Sequence, residues 1–210
     1  MKQDKEFSQT QQLRNQIQNM ERGTIFLSDA FIFKDKAVLR VLLSRFITEG
    51  LLESLGPGIY LYPRYSKLLQ KNVTPSIDDI VQAIACKEKS RIAPSGSYSM
   101  YKLGLSTQVP TVAVFLTDGS PRKITLKDGR TIVFKSTTAK NLAFTNTLMQ
   151  LLVSSLKEIG KTNISSDQLS KIRAILAKVH EDDFKANIQL APEWIQKLLI
   201  QNKDGMYATL

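Results

Sequence analysis

Asp35-Lys36-Ala37-Val38-Leu39-Arg40-Val41-Leu42-Leu43-Ser44-Arg45-Phe46-Ile47-Thr48-Glu49-Gly50, followed at once by Leu51-Leu52-Glu53-Ser54-Leu55-Gly56-Pro57-Gly58-Ile59-Tyr60-Leu61-Tyr62, is the stretch on which the reading of this chain turns. Asp35 is a good N-cap for a helix over Lys36 to Glu49, because its short carboxylate can take the orphan amides of the first turn. Val38, Leu42 and Phe46 mark one apolar face at helical spacing, Leu39 and Leu43 widen it, and Gly50 terminates the helix. Leu51 to Leu55 and Ile59 to Tyr62 read as two strands, joined by Gly56-Pro57-Gly58, a tight turn whose glycines tolerate positive φ.

Working outward, Leu13, Ile17 and Met20 recur at helical spacing and predict a first helix over Gln9 to Met20, preceded by Ser8 as cap and closed by Gly23. Thr24 to Leu27 is a short β-prone run, and Ser28 with Asp29 opens a brief helix through Phe33. Helix, strand, helix, turn, helix and hairpin is the order of a winged helix-turn-helix over residues 1–70, with the second and third helices as the reader and the hairpin as the wing. A small α+β fold with no special purpose is the alternative.

On the third helix Lys36, Arg40 and Ser44 follow one another at intervals of four, so they form a polar stripe opposite the apolar face, with Arg45 beside it. Such a stripe suits a major groove: Arg40 for a guanine edge, Lys36 for a base or a phosphate. A solvated helix face is the alternative. Arg64 and Lys67, just past the wing, suit backbone phosphates. Tyr60 and Tyr62 alternate with Ile59 and Leu61, which favours core packing over stacking on bases.

Pro75 and Ser76 punctuate the chain and place a domain boundary at residues 70–71. Ser76 with Asp79 three residues on forms a capping box for a helix through Lys89. Arg91 to Ser97 reads as an irregular polar loop, followed by a short helix ending at Leu103-Gly104. Thr111 to Leu116, Arg122 to Leu126 and Thr131 to Phe134 read as strands separated by Thr117-Asp118-Gly119-Ser120-Pro121 and by the Asp-Gly turn Lys127-Asp128-Gly129-Arg130, giving an antiparallel three-stranded meander. Ala139 to Ile159 reads as one long helix with Leu142, Thr145, Met149, Leu152 and Leu156 near one face. Ser166 caps Asp167 to His180, and Pro192 starts Glu193 to Gln201. The fold class is therefore α+β: a winged helix-turn-helix, then over 71–210 an α+β domain with a small meander and C-terminal helices.

The 210 residues include 29 Lys or Arg and 19 Asp or Glu, a net charge of +10. Residues 71–140 carry 11 basic and 5 acidic side chains, a surplus of six, against three in 1–70 and one in 141–210. A surplus of this size is most easily tolerated beside a polyanion. Arg91, Lys123, Arg130 and Lys135 are candidates to extend a DNA footprint into the second domain. With 42% hydrophobic and 23% charged residues, the composition excludes a disordered chain.

Catalytic chemistry finds little to work with. The single cysteine, Cys86, excludes an internal disulfide or a Cys-based zinc site, fits a reducing cytosol, and next to Ile84 and Ala85 is expected to be a buried thiol. His180 is the one histidine, and its cluster with Glu181, Asp182 and Asp183 reads as a solvated helix end rather than a metal site. Ser95 lacks a nucleophile elbow, and Val133 stands where a metal-dependent nuclease wants an acid before Lys135. Asp118 and Asp128 have structural uses in turns. No enzyme, metal or cofactor is expected. The polar, Gln-rich start and the lack of any run of about 18 apolar residues predict a cytoplasmic protein without a membrane span.

Two segments together resemble a known family. Val41 to Leu52 followed by Gly58-Ile59-Tyr60-Leu61-Tyr62-Pro63 is similar to the winged helix of AbiEi-like antitoxins of type IV toxin–antitoxin systems, known from phage defence by abortive infection. Arg91-Ile92-Ala93-Pro94-Ser95-Gly96, then Leu103-Gly104-Leu105-Ser106-Thr107-Gln108-Val109-Pro110, then Leu116-Thr117-Asp118-Gly119, resembles the antitoxin domain of that family's short branch. The resemblance covers roughly residues 24 to 136. It implies a DNA-binding autorepressor that binds inverted repeats in its own promoter, acts as a homodimer or cooperatively, and counteracts a nucleotidyltransferase-like toxin. Carried over by position, it gives the reading role to Lys36, Arg40, Ser44 and Arg45 and the wing role to Pro57 and Gly58. It assigns no role to Ser95, Thr107 or Gln108, and does not reach the helices after Lys161. An antitoxin that sequesters its toxin through those helices, and a degenerate nuclease, are the competing readings.

Overall fold

The computed structural model describes residues 2–207, with side chains described for residues 9–203. The chain is mixed α+β and divides into two compact units, Met1–Lys89 with Ile124–Arg130, and Ser90–Lys123 with Thr131–Leu210.

The first unit begins with α1 (Lys2–Gln18), β1 (Ile25–Leu27) and a 3₁₀ turn over Ser28–Ala30. Ser8, expected as a cap, falls inside α1, and its side chain lies outside those described. The helix expected through Phe33 is only that 3₁₀ turn: its N-cap position is Leu27, which has no side chain to take the orphan amides. α2 (Lys36–Thr48) starts where the sequence places it, with Asp35 Oδ1 accepting the amides of Ala37 at 2.7 Å and Val38 at 3.4 Å. Leu39, Leu42, Leu43 and Phe46 of α2 are buried against Leu13 and Ile17 of α1, Phe26 of β1, and Phe31, Leu52 and Tyr62. β2 (Glu53–Gly56) and β3 (Ile59–Leu61) form the expected hairpin, and β1 pairs antiparallel on the other side of β3, giving the order β1-β3-β2.

A small hairpin not expected from sequence, β4 (Tyr65–Ser66) and β5 (Lys71–Asn72), follows β3. α3 (Ile77–Glu88) then opens on the expected capping box: the Ser76 hydroxyl accepts the Asp79 amide at 3.1 Å while the Asp79 carboxylate accepts the Ser76 amide at 2.9 Å. Those hydrogen bonds hold the Asp79 carboxyl below its ordinary value, the Ser76 hydroxyl contributing most. α3 packs on β1. The division between units therefore falls after Lys89 and not at residues 70–71, because the buried row Ile77, Ile80, Val81, Ile84 and Ala85 belongs to the first unit. Cys86 is exposed, contrary to expectation: one position past Ala85 rotates it about 100° off that row.

The second unit is built on a sheet whose strand order is β6-β7-β9-β8, formed by β6 (Ile92–Ser95), β7 (Val112–Thr117), β9 (Thr131–Ser136) and the Arg122–Lys123 half of β8 (Arg122–Thr125). Two expectations are corrected here. Arg91 to Ser97 is not a loop, since β6 pairs antiparallel with β7 from Ile92↔Thr117 to Ser95↔Val114. Pro94 is accommodated because β6 is an edge strand, where a missing amide costs no ladder bond. The meander is also not antiparallel throughout, because β7 and β9 pair in parallel, from Val112↔Thr131 to Thr117↔Ser136. The apolar strands β7 and β9 take the centre, and the charged β8, with Arg122 and Lys123, is left at the edge.

α4 (Ser97–Lys102) packs on β7 and on α5 (Thr147–Ile159). The single helix expected over Ala139 to Ile159 is instead a 3₁₀ turn (Ala139–Leu142), a break, and α5. Asn146 caps α5 through the Met149 amide at 3.1 Å, and the fully buried Asn187 accepts the amides of Thr145 and Asn146 at 2.8 and 3.3 Å. α6 (Ser166–Leu176) is capped by Ser165, not Ser166, in a box with Gln168. It stops short of His180, which instead caps α7 (Glu181–Ile188), an element not expected. α8 (Glu193–Tyr207) follows Pro192. Met149, Leu152, Leu156, Ile172, Leu176, Phe184, Ile195 and Leu199 make this unit's helical core. Among the described residues, no helix is long and apolar enough to cross a membrane.

Candidate nucleic-acid interface

Burying Leu39, Leu42, Leu43 and Phe46 turns the opposite side of α2 outward, so Lys36, Arg40, Ser44 and Arg45 are all exposed. From below, the Arg14 guanidinium lies 4.6 Å from the centre of the Phe46 ring and pairs with Glu49, which fixes the end of the helix. The β2/β3 turn is anchored by the Ser28 amide, which donates to the Gly58 carbonyl at 2.9 Å, with Gly58 in the left-handed region at φ +71°. Pro57 at its apex is exposed.

Arg40 and Ser44 from α2, and Pro57, Gly58 and Tyr60 from the β2/β3 hairpin, line a cleft of about 530 Å³. Tyr60 stacks on Phe26 at 5.7 Å, as core packing requires. Burial pushes its hydroxyl up in pKa, and the charge of Arg40 works against this. The remaining wall is a segment the sequence did not suggest: Thr125, Leu126 and Lys127 at the tip of the β8/β9 hairpin, part of the first unit. Leu126 is 4% exposed and approaches Gly56 so closely that a Cβ there would lie 3.4 Å from its Cδ2. The Lys127 amide donates to the Leu55 carbonyl at 2.9 Å. The lining carries two cations and no carboxylate, which is the chemistry of an anion site. A leucine at the mouth of a polar Asp-Gly turn was the available signal, since a solvated hairpin end has no use for one.

Not every expected contact joins this face. Lys36 shares a second cleft, of about 320 Å³, with Arg40, beside the fully exposed Ile32. Arg64 and Lys67 are exposed but follow β3 at the end away from the β2/β3 turn. Arg64 lines a cleft of about 560 Å³ with Arg22, Glu21 and Asp79, where charges of both signs meet.

Of the four cations proposed for the second domain, two are already held. Asp118 takes the Arg91 backbone amide at 2.7 Å and its guanidinium at 2.8 Å, and these bonds, the guanidinium first, hold the Asp118 carboxyl below its ordinary value. Arg130 is gripped by Asp128 at 2.6 Å and donates to the Pro75 carbonyl at 3.3 Å, and its side chain likewise lowers Asp128. Arg130 belongs to the first unit, not the second. Lys123 and Lys135 are exposed on β8 and β9.

His180 is exposed and accepts the Asp182 amide at 3.4 Å through Nδ1. Among the described residues no group of three or more His, Cys, Asp or Glu side chains gathers as a metal site. Ser95 lies on β6, partly buried.

Fold and cleft together define an α+β protein that presents an exposed cationic helix face beside a cleft free of carboxylates. The model of a family of unknown function, DUF6088, matches residues 12–184, and the chain belongs to that family. No curated protein and no solved structure matches the chain.

Proposed function

We propose that this chain is a cytoplasmic, DNA-binding antitoxin that represses its own toxin–antitoxin operon, with no catalytic step of its own. In this reading the first unit is a winged helix-turn-helix. β1 pairing beside the β2/β3 hairpin supports it, as does α2 lying with one face buried and the other cationic. The 3₁₀ turn Ser28–Ala30 stands where the first helix of the helix-turn-helix is expected, so most of the reading falls to α2. Arg40 and Arg45 address base edges, Lys36 and Ser44 the flanking backbone, and Pro57 and Gly58 approach the adjacent groove. The observation that carries the proposal is the exposed Arg40 beside the wing in a cleft with no carboxylate. Antitoxin action against a nucleotidyltransferase-like toxin rests on the resemblance over 91–96, 103–110 and 116–119, and inverted repeats in the promoter would call for two copies of the chain.

The test is a mobility shift on the DNA immediately upstream of the gene, at two salt concentrations. Wild type should bind with steep salt dependence, and Arg40→Ala with Arg45→Ala should weaken binding by about 1–3 kcal/mol for each lost base contact. No preference over random DNA defeats the proposal. A second reading, direct capture of the toxin, is favoured by one observation: Ile164, Trp194 and Leu198 line a cleft of about 490 Å³ among the C-terminal helices. Co-purification of the two proteins, lost in Trp194→Ala, would support it.

A further inference from the structure

Resting on the DNA-binding reading, the geometry points to the tip of the β8/β9 hairpin as a second wing: Lys127 delivers an ammonium to the sugar-phosphate backbone of the duplex that α2 reads. The residues between Ile124 and Arg130 are distant in sequence from the hairpin Glu53–Leu61, yet they are part of the same unit. Two attachments fix them to it. The Leu126 side chain is buried against Gly56, and the Lys127 amide donates to the carbonyl of Leu55.

With its backbone tied down, the Lys127 side chain is exposed on the wall of the cleft whose other cation is Arg40. Its sequence neighbour Asp128 does not neutralise it, because Asp128 is occupied by the Arg130 side chain and backbone amide. An exposed lysine on a fixed backbone, facing a cleft that lacks carboxylates, is placed as a phosphate contact rather than a base reader, since lysine is a compact point charge without a planar fork. Other clefts of this unit differ in this respect. The one at Arg64 contains Glu21 and Asp79, and the one at Lys36 contains Asp29.

The experiment is fluorescence anisotropy on two duplexes, the DNA immediately upstream of the gene and a scrambled sequence of equal length, each titrated across a range of salt. Wild type is compared with Lys127→Ala, Lys127→Arg and, as a control for an exposed lysine elsewhere, Lys178→Ala. Lys127→Ala should weaken both duplexes to the same degree and reduce the log–log salt slope by about 1, whereas Lys127→Arg and Lys178→Ala should leave the slope in place. Thermal melts should coincide, because the substituted side chain is exposed. If wild type binds the promoter duplex and Lys127→Ala matches Lys178→Ala, the second wing is wrong while the DNA reading stands. If Lys127→Ala loses only the promoter duplex and keeps its slope, the lysine reads bases, and the backbone contact is likewise overturned. Failure of wild type on both duplexes removes the DNA reading and this inference together.

Discussion

At the α2 cleft Arg40 and Lys127 stand with no carboxylate in the lining, whereas on the sheet of the second unit Arg91 is gripped by both oxygens of Asp118. In sequence these cations look alike, and Arg91 and Lys127 both fall in the most basic stretch, residues 71–140. The difference teaches that a surplus of charge does not by itself locate an interface. The Arg91 guanidinium gives its Nε–H to Asp118 and has its charge offset by that carboxylate, so it offers a phosphate less net attraction than a cation with no carboxylate beside it. On the proposed DNA-binding reading, the cations that matter are those whose backbone is fixed while no carboxylate stands beside their side chain.

The largest expected effect removes the floor beneath one region. Phe46 is fully buried on the inner face of α2, so Phe46→Ala should cost about 3–5 kcal/mol, read in a denaturant melt, and on the proposed DNA-binding reading should abolish duplex binding as the helix loses its seat. A smaller effect works on the other region by turning it into a copy of the first. Asp118→Asn takes away the charge that holds Arg91, and the freed guanidinium should steepen the salt slope of non-specific duplex binding by at most about 0.9. An unchanged slope would mean that the sheet face does not meet DNA even with its cation released, and a wild-type slope already lowered by Arg91→Ala would break the comparison outright.

The smallest effect contrasts the two units through one device that both use. α3 is capped by Ser76 with Asp79, and α6 by Ser165 with Gln168. Asp79→Ala and Gln168→Ala should each cost about 1 kcal/mol at neutral pH. They part in acid. The folded Asp79 carboxyl lies below its ordinary value of 3.8, so its contribution is fully present above that pH and is lost as pH falls through the folded value. Stability measurements at pH 7 and pH 3 should therefore find the cost of Asp79→Ala reduced in acid and that of Gln168→Ala unchanged.

What the sequence disclosed follows from how local each signal is. Asp35, the apolar row down to Phe46 and the Gly56-Pro57-Gly58 turn are complete within a few residues, and α2 with its hairpin was legible from them. The capping box of α3 was legible for the same reason. β6 was not, because four residues containing a proline carry no strand signal until β7 pairs with them. The parallel pairing of β7 with β9 is equally silent, since the turns between the strands report only which way the chain reverses. The break before α5 was masked by unbroken apolar spacing, and its cause, Asn187, lies some forty residues on. The candidate site divides along the same line. Arg40 and Ser44 announce themselves by spacing, but Lys127 gains its position only through contacts with Leu55 and Gly56, some seventy residues earlier in the chain.

The docking of Leu126 on Gly56 also bears on how such a gene can be cut and recombined. An open reading frame ended after Lys89 would encode every helix and strand of the first unit that precedes the second, yet the carbonyl of Leu55 would lose its donor and the surface of Gly56 its cover. A module exchanged at that boundary thus leaves one of its pieces, residues 124–130, behind in the donor.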